Sequence, residues 1–274
     1  MEFSFPTIYS QNNSGSLTVS STSGTGIRIG SSGSLTINGG SVTASSSFGT
    51  GIDIRSGSLT INGGSVTASS SSGTGIDIGR DSLTINGGSV TASSSSGTGI
   101  ESDSLTINGG SVDASSLSGT GIKNGSLTIK GGSVTASSTS GTGIKSNSLT
   151  IEDGSVKASS THRTGIESGS LTIKGGSVTA SSADETEKGI SSNQITINGG
   201  SVKASSVSSS PKNTQGDDVY CCTIENPKSE AVIIDRNPTS WEPKNHQAVD
   251  PLYAWLTGET HTISVGNTTQ TYYF

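Results

Sequence analysis

Ser82-Leu83-Thr84-Ile85-Asn86-Gly87-Gly88-Ser89-Val90-Thr91-Ala92-Ser93 is the stretch that decides the fold, because it recurs along the chain with little change. Its Leu returns at 35, 59, 83, 105, 127, 149 and 171, with Ile195 next in line and Leu17 opening a degenerate first unit. From Leu35 onward the steps are 24, 24, 22, 22, 22, 22 and 24 residues. A disordered Gly/Ser chain would not keep that register. A period of this size marks stacked units, none of which can bury its apolar side chains alone.

Inside each unit, Leu-Thr-Ile and Val-Thr-Ala both alternate apolar and polar residues, the period of a half-buried strand. Gly-Ile pairs such as Gly51-Ile52 and Gly75-Ile76 add a third short apolar point. Stacking then aligns Leu, Ile, Val, Ala and Ile into one continuous aliphatic column. The Gly-Gly pair after Leu-Thr-Ile keeps its second Gly from Gly40 to Gly200, while the first becomes Asp once, at Asp153. That pattern predicts two positive-φ positions, one of them tolerant of Asp. Two residues before each Leu stand Gly33, Gly57, Asp81, Asp103, Gly125, Asn147, Gly169 and Asn193. Gly, Asn and Asp enter the left-handed region most easily, so this column also reads as a backbone requirement, not a row of ligands.

The predicted fold is all-β: a right-handed parallel β-helix, or β-solenoid, of about nine coils of 22–24 residues with three short strands per coil. Right-handed winding follows from the chirality of strand crossovers. At about 4.8 Å per coil the rod is on the order of 40 Å long. Residues 1–15 read as an N-terminal cap or leader, 16–206 as the solenoid, 207–218 as a linker and 219–274 as a small β-rich C-terminal cap or module. The last boundary is a shift in composition: five of six prolines lie at or beyond Pro211, and seven of eleven aromatics at or beyond Tyr220. Tyr220, Val232, Ile233, Ile234, Trp241, Tyr253, Trp255 and Leu256 are the tail's core material. Thr260–Val265, a Gly266-Asn267 turn and Thr268–Phe274 spell a hairpin.

Composition agrees with a thin, repeated core. The 274 residues are 28% hydrophobic and 4% aromatic, with 39 glycines, too few large side chains for a broad interior. A net charge of −6 argues against a phosphate-binding surface and so against nucleic acid as partner. No apolar run is long enough to span a bilayer, and Met1-Glu-Phe-Ser-Phe-Pro lacks the basic start and apolar stretch of an export signal. Cys221 and Cys222 are adjacent and read as two thiols, not a disulfide framework.

Four constellations are candidates for chemistry. The first is the outward Thr column (Thr60, Thr84, Thr106, Thr128) flanked by Asn62, Asn86 and Asn108, a regular uncharged lattice. It reads as ordinary exposed strand chemistry, as a glycan-binding grid, or as an ice-matching array. The second is the residue after Gly-Ile: Arg28, Asp53, Asp77, Glu101, Lys123, Lys145, Glu167 and Ser191. Asp53, Asp77 and Glu101 could bring oxygen ligands to calcium, whereas cross-strand charge pairing accounts for most of the column. No other cofactor is implied. The third is catalysis. Glycosidic cleavage needs two carboxylates about one bond, but acids are scattered singly here, and His162, His246 and His261 have no evident partner by spacing. The fourth is an aromatic sugar platform at Trp241, Tyr253 and Trp255, against which stands the need of a small module for its Trp residues as core.

The units Gly-Gly-Ser-Val-Thr-Ala-Ser-Ser and Gly-Thr-Gly-Ile resemble the Gly-Gly-x-Val-Thr-Ala repeats of secreted or wall-attached Firmicutes proteins. Many of those fall in a carbohydrate-binding β-helix family typified by clostridial proteins that bind acidic or cellulosic polysaccharide. The stretch from Leu252 to Gly266 looks like the β-rich module that often follows such repeats. The resemblance, over Ser16 to Ser206 and this tail, implies a non-catalytic extracellular or cell-surface adhesin or stalk with polysaccharide as ligand. A β-helix polysaccharide lyase or hydrolase is the alternative from another class, and an ice-binding Thr array a second.

Overall fold

A computed structural model describes residues 2–3, 7–8, 15–31, 33–225, 232–235 and 251–273. The chain coils into a parallel β-solenoid with two long sheets. One sheet stacks nine copies of the Ser-Val-Thr-Ala-Ser-Ser strand in chain order, from Ser16–Ser21 to Ser201–Ala204. The other, of thirteen strands, carries the Gly-Ile and Leu-Thr-Ile segments. Each residue pairs with its counterpart one coil away, for example Leu83 with Leu59 and Leu105, and Val90 with Val66 and Val112. Leu, Ile, Val and Ala point inward and form one buried cluster from Ile27 to Val202.

The spacing between the Gly-Ile and Leu-Thr-Ile segments decides whether a coil has three strands or two. Ile52–Ser56 and Leu59–Ile61 are separate strands, but from Ile100–Ile107 onward the two segments run together as one strand. Ile76 and Leu83 lie seven positions apart, Ile100 and Leu105 only five. The two additional residues turn the chain at Gly79, whose φ is 55°. The 24-residue step from Leu171 to Ile195 has another origin, a longer turn over 183–188.

Three expectations about the backbone are corrected. Leu17-Thr18-Val19 does not open the Leu-Thr-Ile column: it pairs with Val42-Thr43-Ala44 in the nine-stranded sheet. Both segments share the in-out-in pattern, so periodicity alone could not tell them apart. The other sheet is begun instead by Glu2–Phe3 and Thr7–Ile8, in the stretch assigned to a cap or leader. Of the Gly-Gly pair only the second residue has positive φ, between 75° and 95° from Gly40 to Gly200. In the column two before Leu, only Gly57 does. There the ladder skips instead: Ser102 pairs with Asn124 and Ser104 with Ser126, leaving Asp103 and Gly125 between them unpaired. Inward Ile and Leu five positions apart cannot both face the core on a regular strand, so each coil bulges at this place, and the bulges stack.

At the C-terminal end, 207–218 packs on the solenoid where a linker was expected. Val207 bridges Ile190, and Lys212 bridges Thr196. Val219–Ile224 then pairs antiparallel with Leu252–Thr257, and Val232–Ile234, Thr260–Val265 and Thr268–Tyr273 make a three-stranded antiparallel sheet whose last two strands form the expected hairpin. Trp241, His246 and the end of the tail at Phe274 lie outside the described residues.

Candidate functional site

The Thr column stands on the thirteen-stranded sheet as expected, with Thr60, Thr84, Thr106 and Thr128 half-buried between neighbours of their own kind. The Asn column beside it is already engaged. Asn62 Nδ2 donates to Asn38 Oδ1 at 2.6 Å, Asn86 to Asn62 and Asn108 to Asn86, both at 2.7 Å. This carboxamide ladder uses one donor and one acceptor of each interior rung, so Asn62 and Asn86 offer a ligand less than the sequence suggested. The uncharged face also ends at Asn108, because Lys130, Glu152 and Lys174 occupy the following rungs, the last two as an ion pair at 3.1 Å.

Asp53, Asp77 and Glu101 stack on successive coils. Each carboxylate, however, has its own partner. Asp53 takes Arg28 at 3.1 Å and Arg55 at 3.5 Å, Glu101 takes Lys123 at 2.7 Å, and Asp77 accepts from Gly79 N at 2.9 Å. Among the described residues no three acid, His or Cys side chains are placed to hold a metal ion. Register aligns the three acids, while cations on neighbouring strands pair with two of them, Arg28 with Asp53 and Lys123 with Glu101. Asp77, which has no cation of its own in contact, has its carboxyl held above the ordinary value, first by burial and then by Glu101 and Asp53. The Gly79 hydrogen bond and Lys123 oppose that rise.

A groove of about 660 Å³ runs along the solenoid where the nine-stranded sheet turns its corner. It crosses six coils, from Ser70 to Ser182, with Ser93, Ser115, Ser137, Ser159 and Ser181 in its lining, and no charged side chain lines it. Its floor is a column of buried serines. Ser94 Oγ donates to Gly73 O of the preceding coil at 2.5 Å and accepts from Gly97 N at 2.8 Å; Ser116 and Ser138 repeat the arrangement. Leu117, 59% exposed, also lines it. The Ala-Ser-Ser triplet was visible in every unit, but only the fold shows that its last Ser is buried and its middle Ser lines a concavity.

Of the aromatic residues in the tail, Trp255 and Tyr253 are engaged at the seam with the solenoid. Trp255 is only 9% exposed and belongs to the solenoid's own core cluster, and its Nε1 donates to Val202 O at 2.9 Å. Tyr253 N donates to Ser201 Oγ at 3.1 Å, and Lys203 Nζ lies 5.2 Å from its ring centroid. Both residues seat the C-terminal module on the last coil. His261 does have partners, one distant in sequence and one near: Nδ1 lies 2.5 Å from Asp235 Oδ2, and Nε2 lies 3.1 Å from Thr257 O. Burial acts to raise the Asp235 carboxyl, but the hydrogen bonds from His261 and Thr262 outweigh it and hold the group below its ordinary value. Cys221 is an exposed and Cys222 a buried thiol, both pushed up by burial.

A stacked parallel coil with an aliphatic interior and polar outer columns defines a β-helix repeat protein. The family described as beta helix repeat matches residues 35–53, 59–76, 83–100, 105–125 and 195–210. Comparison with curated proteins and with solved structures finds no match. No helix is long and apolar enough to cross a membrane among the described residues.

Proposed function

We propose that this β-helix repeat protein is a non-catalytic extracellular or cell-surface protein that holds polysaccharide along its length. The observation that carries the reading is the uncharged, hydroxyl-lined groove from Ser70 to Ser182, parallel to the stack and long enough for several sugar units. Its hydroxyls recur about every 4.8 Å. Each hydrogen bond to a sugar replaces one to water and contributes little by itself, so affinity comes from many coils acting together and grows with ligand length. The resemblance of the repeats to Firmicutes surface proteins favours the same class of ligand. The Thr and Asn face is the secondary surface, since its amides already bind one another.

Pull-down with neutral and acidic polysaccharides of graded length tests this. Ser115→Glu with Ser137→Glu and Ser159→Glu should cut binding roughly tenfold or more, while Thr84→Glu with Thr106→Glu and Thr128→Glu on the other sheet costs less. If both triple variants bind like the parent, the solenoid is only a spacer. Release of reducing ends or unsaturated products from pectic substrates with calcium, abolished by replacing Asp53, Asp77 and Glu101, would overturn the non-catalytic reading.

A further inference from the structure

Every rung of the Asn ladder is followed by Gly: Asn38-Gly39, Asn62-Gly63, Asn86-Gly87 and Asn108-Gly109. In an Asn-Gly pair the Gly nitrogen can attack the Asn side-chain carbonyl carbon, unhindered because Gly has no Cβ. A bond forms between Gly N and Asn Cγ, the Cγ–Nδ2 bond breaks, and ammonia departs with the proton from the Gly N–H. Water then opens the resulting succinimide at either carbonyl, leaving Asp or isoaspartate. Either product would put a negative charge into the uncharged face, and isoaspartate would lengthen the backbone at the tight turn into Gly40, Gly64, Gly88 or Gly110.

The fold opposes ring closure by holding both the carboxamide and the backbone of the Asn residue itself in place. The carboxamides of Asn62 and Asn86 each make two ladder bonds, and that of Asn108 makes one, to Asn86. Their backbone nitrogens donate at 2.8 Å to Ile37, Ile61 and Ile85 of the preceding coil. To reach the Gly nitrogen, Cγ must rotate out of the ladder. We infer that the ladder is a chemical-durability device, which suppresses succinimide formation at these Asn-Gly pairs and holds interior rungs more firmly than the end rung at Asn108.

The chain contains its own control, because Ile-Asn-Gly-Gly-Ser is identical at Asn62, Asn86 and Asn108. Rates that differ among them in the folded chain therefore report position in the ladder. The full chain is incubated at mildly alkaline pH, folded and in denaturant, and each site is followed by peptide mass mapping with isoaspartate detection. In denaturant the three sites should convert at equal rates. In the folded chain Asn62 and Asn86 should convert more slowly than Asn108, roughly two- to tenfold, the effect of about one net hydrogen bond. Asn86→Ser, which removes one rung, should speed Asn62 and Asn108 by a similar factor. Equal folded rates at the three sites would overturn the proposal without any variant. So would unchanged rates at Asn62 and Asn108 in a folded Asn86→Ser protein, since protection would then come from folding in general.

Discussion

Single residues in this solenoid matter through what the next coil places against them. Gly88 has φ 81°, and a Cβ there would lie 2.5 Å from Gly64 O. Gly87 has no positive φ, and its Cβ would meet Asn62 O at 3.2 Å. Gly88→Ala should therefore cost about 2 kcal/mol or more, from left-handed strain and the clash together, and Gly87→Ala less than half as much by urea unfolding. Equal losses would show that the turn is misassigned. Asp77 offers a test by pH. Its carboxyl is raised in the folded state from an unfolded value near 3.8, so between those two values the folded chain binds more protons. Stability then falls as pH rises through that window, and the ionised carboxylate is a net cost above it. Asp77→Asn keeps an acceptor for Gly79 N and should be more stable than the parent at neutral pH, with the difference vanishing below about pH 3. A parent more stable than the variant at neutral pH would contradict the burial argument.

At the scale of an element, the unit is one coil, and its interface with the next is nearly the same each time. Stability is then close to a sum over neighbouring coils. Deleting residues 105–126, one whole 22-residue period, joins Ser104 to Leu127 and preserves every inward column. Glu101 loses Lys123 but meets Lys145 in the same column. The shortened protein should keep its β circular dichroism and lose only the stability of about one interface. Deleting residues 105–115, half a period, would lay apolar positions against turns and should abolish folding. If both deletions fold equally well, the stacking register is not what holds the rod.

Over the whole molecule, the C-terminal module closes the last coil through Trp255 and Tyr253. Trp255→Ala removes a large side chain from the end of the core cluster and leaves Val202 O without its donor, a change worth about 3–5 kcal/mol. Because coils contact only their neighbours, the loss should stay local. Hydrogen exchange should speed at Val178 and Val202 while Val90 and Val112 keep their protection. Uniform acceleration along the rod would mean that the solenoid unfolds as one unit and that the cap governs all of it.

The sequence by itself determined the stack, its period, the inward columns and the alignment of charges, because each coil sees a copy of itself and local alternation becomes tertiary register. Thr60 beside Thr84, and Asp53 beside Asp77, were legible from spacing alone. Wherever the chain meets something other than its own copy, only the tertiary structure decided. Leu17 could sit in either sheet because both patterns alternate alike. Trp255 could stack on sugar or on Val202, since an aromatic ring suits both. The middle serines of Ala-Ser-Ser line a groove only because the corner bends around the buried Ser–Gly column, and curvature is a property of stacked coils with no signature inside one of them.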